Sequence, residues 1–108
     1  MTITEFLTAR LDELETAART ASSYDDDDSP WPSYMVVQEP EFVLAEVAAK
    51  RALIADLATF DKVATSKAGS DLSTRLTARG VERGTMHALR TLAQPYADHP
   101  DYREEWRP

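Results

Sequence analysis

Between residues 3 and 21 apolar side chains recur every three or four positions: Ile3, Leu7, Leu11, Leu14, Ala18 and Ala21, with Phe6 and Ala17 widening the stripe. That period matches the 3.6-residue turn of an α-helix. A β-strand would alternate its faces every second residue. Thr2-Ile3-Thr4-Glu5 supplies a start signal, in which the Thr2 hydroxyl accepts from the Glu5 amide while the Glu5 side chain reaches back. Arg10, Asp12, Glu13 and Arg19 are read as lying off the stripe. The pattern predicts a helix over about residues 3–21 that frays at Ser22-Ser23.

A second start signal is Glu39-Pro40-Glu41, with proline near the first turn and acids at the positive end of the helix dipole. Val43, Leu44, Val47, Ile54, Leu57 and Ala58 form its apolar face, and Glu46 and Lys50 make a favourable i,i+4 pair. The expected helix covers residues 41–60. Between the two lies Tyr24-Asp25-Asp26-Asp27-Asp28-Ser29-Pro30-Trp31-Pro32, where four adjacent carboxylates repel and two prolines remove backbone donors. This reads as a loop. Tyr34-Met35-Val36-Val37 reads as an extended apolar strap across the helices, anchored by Trp31 and Tyr34.

Thr65-Ser66-Lys67-Ala68-Gly69-Ser70 has the composition of a linker. Beyond it Asp71 or Ser70 can cap a helix carrying Leu72 and Leu76, and Met86, Leu89, Leu92 and Ala93 form another apolar group. At about 100° per residue the two groups point in roughly opposite directions. Gly80 and Gly84 lie between them, each costing near 1 kcal/mol in a helix interior. Two short helices are therefore expected, over about 71–79 and 85–94, with Pro95 ending the second. The remaining tail, residues 95–108, holds three large aromatics, Tyr96, Tyr102 and Trp106. Asp101 is expected to cap a turn that brings Tyr102 and Trp106 onto one face, so that the tail clamps back over the helices.

The predicted fold is all-α. An antiparallel hairpin of the two long helices is covered by the shorter C-terminal pieces and the aromatic tail, as a single domain over residues 1–108. The chain has no cysteine, which excludes disulfides and thiolate metal sites. It has no apolar run near the ~20 residues of a membrane span, and its first residues lack the pattern of a secretion signal. A cytoplasmic protein is the expectation.

The net charge of −7 is unevenly spread. Residues 1–41 hold ten acids and two bases, residues 42–94 five acids and eight bases, and residues 95–108 four acids and two bases. The acidic total argues against nucleic acid or an anionic membrane as the main partner. The asymmetry implies attraction between the halves, within one molecule or between two.

Three clusters invite chemistry. The run Asp25–Asp28 has carboxylates but lacks the spacers and turning glycine of a cation loop, so it reads as a solvated acidic loop. Asp98, His99 and Asp101 place an imidazole beside two carboxylates, the parts of an acid–base or metal site. The plainer reading has the aspartates making turn bonds and His99 packing beside Pro100. Arg75, Arg79, Arg83 and Arg90, with His87, step mostly by four and would form a basic stripe on an unbroken helix, suited to phosphates or an acidic surface. Neutralisation of that stripe by the acidic first half is the plainer reading. No phosphate loop, zinc-protease motif or nucleophile elbow is present, and no cofactor is implied.

Leu92-Ala93-Gln94-Pro95-Tyr96-Ala97-Asp98-His99-Pro100-Asp101-Tyr102-Arg103-Glu104-Glu105-Trp106-Arg107-Pro108 resembles the closing block of a small family of unknown function from actinobacteria and their phages. The segments Phe6-Leu7-Thr8-Ala9-Arg10-Leu11-Asp12-Glu13 and Val43-Leu44-Ala45-Glu46-Val47-Ala48-Ala49-Lys50-Arg51 resemble it too. Many members carry a Cys/His insert between the second helix and the tail. Here residues 61–88 hold no cysteine and only His87, so the resemblance implies a source and no metal role.

The expectation is a non-enzymatic protein-interaction or regulatory module that binds a protein partner or itself. Trp31, Tyr34, Tyr96, His99, Tyr102 and Trp106 are its candidate contact or clamp residues. The alternatives are a small metal-dependent protein or enzyme centred on Asp98, His99 and Asp101, and phosphate or nucleic-acid contact through Arg75, Arg79, Arg83 and Arg90.

Overall fold

A computed structural model describes residues 1–22 and 39–108. Three helices account for most of them: α1 (Ile3–Ser22), α2 (Pro40–Lys67) and α3 (Leu72–Ala93). Two 3-10 turns follow, Gln94–Tyr96 and Glu104–Trp106, and there is no strand among the described residues. The chain is all-α. The acidic run Asp25–Asp28, the strap over residues 34–37, and Trp31 and Tyr34 lie outside the described residues.

The helix starts follow from local chemistry. Thr2 Oγ1 accepts the Glu5 amide at 3.1 Å, and its hydroxyl donates to Glu5 Oε1 at 3.2 Å. Pro40 opens α2, where its missing N–H costs nothing. Asp71 caps α3: one carboxylate oxygen accepts the Thr74 amide at 3.1 Å and the other its hydroxyl at 2.6 Å. Those two bonds, the hydroxyl first, hold the Asp71 carboxyl below its ordinary range.

Two boundaries differ from the sequence reading. α2 does not stop at 60 but runs to Lys67, and the Ala68 amide closes it on the Thr65 carbonyl. α3 is one unbroken helix where a break around residues 80–84 was expected. The divergent directions of its two apolar groups are real, and the helix accommodates them without breaking. Leu89 and Ala93 enter the core, while Leu72 and Leu76 stay in water.

Neither glycine has a positive φ, and a methyl group added at either would meet nothing within 4 Å. Gly80→Ala with Gly84→Ala is therefore expected to stabilise the protein by about 1–2 kcal/mol. Thermal unfolding reads this as a rise of roughly 5 °C or more. An unchanged Tm would mean that α3 is not continuous through this stretch in solution.

The core gathers at one end. Ile3, Phe6, Leu7, Leu11 and Ala18 of α1 are buried with Val47 and Ile54 of α2, Leu89 and Ala93 of α3, and Trp106. Leu14, Val43, Leu57, Leu92, Tyr96 and Tyr102 pack around this cluster half-buried. α1 has 20 residues, about 30 Å of helix, against 28 residues and about 42 Å for α2. Helices α2 and α3 pack on each other and are joined by only residues 68–71, so they run antiparallel.

Between Ile54 and Leu89 no residue is buried. The half-buried positions there, Leu57, Asp61 and Ala64 on α2, Ala68 just past its end, and Thr74, Ala78, Val81, Thr85 and Ala88 on α3, recur every three or four residues within each helix and mark a thin seam. The distal ends of α2 and α3 thus form an arm held by small side chains. The molecule is correspondingly long, 64 × 25 × 21 Å.

Candidate functional site

Two regions concentrate polar chemistry. The first surrounds Phe6, whose side chain is fully buried. Trp106 tilts against it at 5.1 Å between centroids, and His99, Tyr102 and Tyr96 approach edge-on at 5.5, 6.1 and 6.2 Å. Tyr102 and Trp106 meet each other at 5.6 Å, nearly perpendicular. The edge-to-face geometry sets the positive rim of one ring on the negative face of the next.

The Arg10 guanidinium lies 5.0 Å from the centre of the same Phe6 ring, and Arg10 itself is 6% exposed. Its Nη2 donates to Glu13 Oε1 at 2.9 Å, and its Nη1 meets His99 Nε2. The other imidazole nitrogen, Nδ1, accepts the Asp101 amide at 3.0 Å. A neutral imidazole has one free lone pair, so either tautomer commits it to a donor: Arg10 or the Asp101 amide. Burial pushes the nearby Tyr96 hydroxyl up, against the opposing pull of Arg10.

Asp101 therefore acts through its backbone and does not cap the terminal turn. That turn begins after Arg103, with no side-chain cap bond. No hydrogen bond joins the carboxylate of Asp98 or Asp101 to His99. Among the described residues no three His, Cys, Asp or Glu side chains come together where a metal could sit. His87 lies elsewhere, on α3.

The second region is the outer face of α3. Because the helix is unbroken, Arg75, Arg79 and Arg83 fall on successive turns, and Leu72, Leu76 and Met86 are exposed among them. An open groove of about 1040 Å³ runs along this face, lined by Leu76, Arg79, Arg83, Met86, His87 and Arg90 among others, and reaching Pro108. Glu82 is the one acid in its lining among the described residues. None of Arg75, Arg79, Arg83 and Arg90 makes an ion pair among the described residues.

The first-half acids that reach a base of the middle segment, among the described residues, reach Arg51 on α2. It reaches Asp12 at 2.6 Å and Glu15 at 2.8 Å, tying α1 to α2. Arg19 and then Arg51 hold the Glu15 carboxyl below its ordinary range. The charge attraction expected between the two halves thus exists, and among the described residues it joins α1 to α2 and makes no ion pair with α3.

This geometry can be set beside known proteins. One family model matches residues 1–108. The chain belongs to DUF6221, a family of unknown function. No curated protein and no solved structure matches it. The DUF6221 match runs over the core, the arm and the tail alike. No helix among the described residues is long and apolar enough to cross a membrane.

Sequence reasoning missed Arg10, which it placed off the apolar stripe. The helix wheel held the signal: at about 100° per residue, Arg10 lies between Phe6 and Leu14 in the middle of that stripe. Its charge alone had removed it from the count.

Proposed function

We propose that this protein is a non-enzymatic protein-interaction or regulatory module of actinobacterial or phage origin, and that α3 is its docking face. The partner is an acidic, amphipathic segment of another protein. One observation carries the reading: an arm without a buried residue exposes Leu72 and, along an open groove, Leu76 and Met86 among arginines that make no ion pair among the described residues. A face combining apolar and cationic groups suits a helix that is apolar on one side and rimmed with carboxylates. The chain's overall charge of −7 disfavours nucleic acid on the same arginines. The engaged lone pair of His99 and the lack of a carboxylate bonded to its ring favour a packing role over acid–base catalysis.

The test uses a synthetic acidic amphipathic peptide and its lysine-substituted counterpart. The acidic peptide is expected to bind in a salt-sensitive manner, and the basic one not to bind. The double variant Arg79→Glu, Arg83→Glu is expected to weaken binding at least about tenfold while helicity is unchanged. If the protein ignores the acidic peptide yet retards a nucleic-acid duplex at low salt, the arginines serve the phosphate reading and this one fails.

A further inference from the structure

The groove along α3 changes character from one end to the other. Leu76 lines it toward the start of the helix, and Arg83, His87 and Arg90 line it toward the end. At about 100° per residue these three fall within an arc of about 60°, and they span about 10 Å of helix. Two guanidiniums and an imidazole therefore share one short stretch of one helix face.

No acid of the helix answers them. Glu82, the only acid of α3, stands at least about 80° round the helix from each of the three. Neither Arg83 nor Arg90 makes an ion pair among the described residues. Arg83 and His87 are exposed. Arg90 is half-buried, with its Nε withdrawn from solvent and given no acceptor. Packing rather than a carboxylate thus fixes that guanidinium, and its two terminal nitrogens are the donors left for a ligand. The helix dipole explains only part of the cluster. It favours a cation in the last turn, where Arg90 stands, but fades within a turn and gives no reason for Arg83 two turns earlier.

We propose that this end of the groove is a subsite for a phosphoryl monoester carried by the acidic segment that docks on α3. The proposal rests on the docking reading above and names the group that fills the cationic end of that face. A single carboxylate would leave one of the two guanidiniums uncompensated. A phosphorylated side chain brings a charge of about −1.5 to −2 at pH 7 and three acceptor oxygens. That is enough for a fork from each arginine and one bond from the imidazole. Arg79, about one turn before Arg83, is left for a carboxylate of the same segment, and Leu76 and Met86 for its apolar side. A phosphodiester carries one charge per phosphate and fits the arginine pair less well.

The test uses two versions of the acidic amphipathic peptide, with a single serine near one end or the other, each with and without phosphorylation. In at least one version phosphorylation is expected to tighten binding at least about tenfold. In Arg90→Gln, and separately in Arg83→Gln at an exposed position, the phosphorylated and plain peptides are expected to bind alike, with helicity unchanged. Free phosphoserine, titrated into nitrogen-15-labelled protein, is expected to shift the magnetic resonance signals of Arg83, His87 and Arg90 and leave those around Phe6 in place.

The two readings fail separately. If the plain acidic peptide binds and phosphorylation adds nothing at either end, the subsite is overturned and the docking face stands. If no plain peptide binds while phosphoserine still moves those three signals, the docking face fails and the subsite stands. No response to any of these probes overturns both. A gain that survives in Arg83→Gln and Arg90→Gln places the phosphoryl group elsewhere and overturns the subsite. Equal binding of the methyl phosphodiester of the same serine overturns it in favour of a nucleic-acid backbone.

Discussion

Removal of residues 95–108 is expected to abolish cooperative unfolding. The tail carries three of the four rings that enclose Phe6 edge-on or tilted, and with His99 it carries all four. Each well-buried large apolar side chain contributes about 1.5–3 kcal/mol relative to exposure. Trp106 is buried, and Tyr96 and Tyr102 are half-buried, so their joint loss approaches the whole stability of a typical domain, about 5–15 kcal/mol. The cut would also expose Phe6 and free the buried guanidinium of Arg10 from His99. The expected readout is a broad melt with no sharp heat absorption and with reduced helicity.

Trp106→Ala is the milder companion. It is expected to cost about 3–5 kcal/mol and to keep a two-state transition, measured by urea unfolding. A truncated chain with the full-length Tm would mean that the tail is a free recognition segment and that the core closes without it.

How much of this was readable beforehand depends on which force acts at each place. α1 was legible because its capping box and its apolar stripe name the same helix, and its observed span of Ile3–Ser22 differs by one residue at the end. The end of α2 was hidden because Thr65, Ser66 and Gly69 have loop composition, while Val63 and Ala64 continue the helical period without announcing it. The continuity of α3 was hidden by a sound energetic argument applied too locally. Two glycines cost about 1 kcal/mol each, less than packing along the seam with α2 supplies. The same misreading dissolved the arginine stripe, since a break at Gly80 would have turned Arg83 and Arg90 away from Arg75 and Arg79. The spacing had been correct all along. Nothing in the sequence could place Arg10 against His99, because that contact joins positions 89 residues apart and depends on the path of the tail.

Arg10→Glu is expected to be as damaging as Trp106→Ala, and Arg10→Met nearly neutral. The two separate what the charge does from what the side chain fills. Arg10 Nε is buried with no hydrogen-bond partner among the described residues, and its ion-pair partner Glu13 is mostly in water. The guanidinium is thus buried with one of its donors unsatisfied. A buried charge of this kind is often replaced by an apolar chain of similar volume at little cost, or at a gain. Methionine keeps the length that lies over Phe6 and its polarisable sulfur suits contact with a ring, so Arg10→Met is expected to stay within about 1 kcal/mol of the parent. Glutamate puts an anion over the negative face of the Phe6 ring and beside Glu13, with only the His99 imidazole near enough to offset it. An uncompensated buried charge costs about 3–5 kcal/mol, enough to melt the tail from α1 at moderate temperature. Urea unfolding followed by tryptophan fluorescence reads both variants, because Trp106 packs directly on Phe6. If Arg10→Met proves as destabilising as Arg10→Glu, the cation itself holds the tail through His99, and the packing account of this site is wrong.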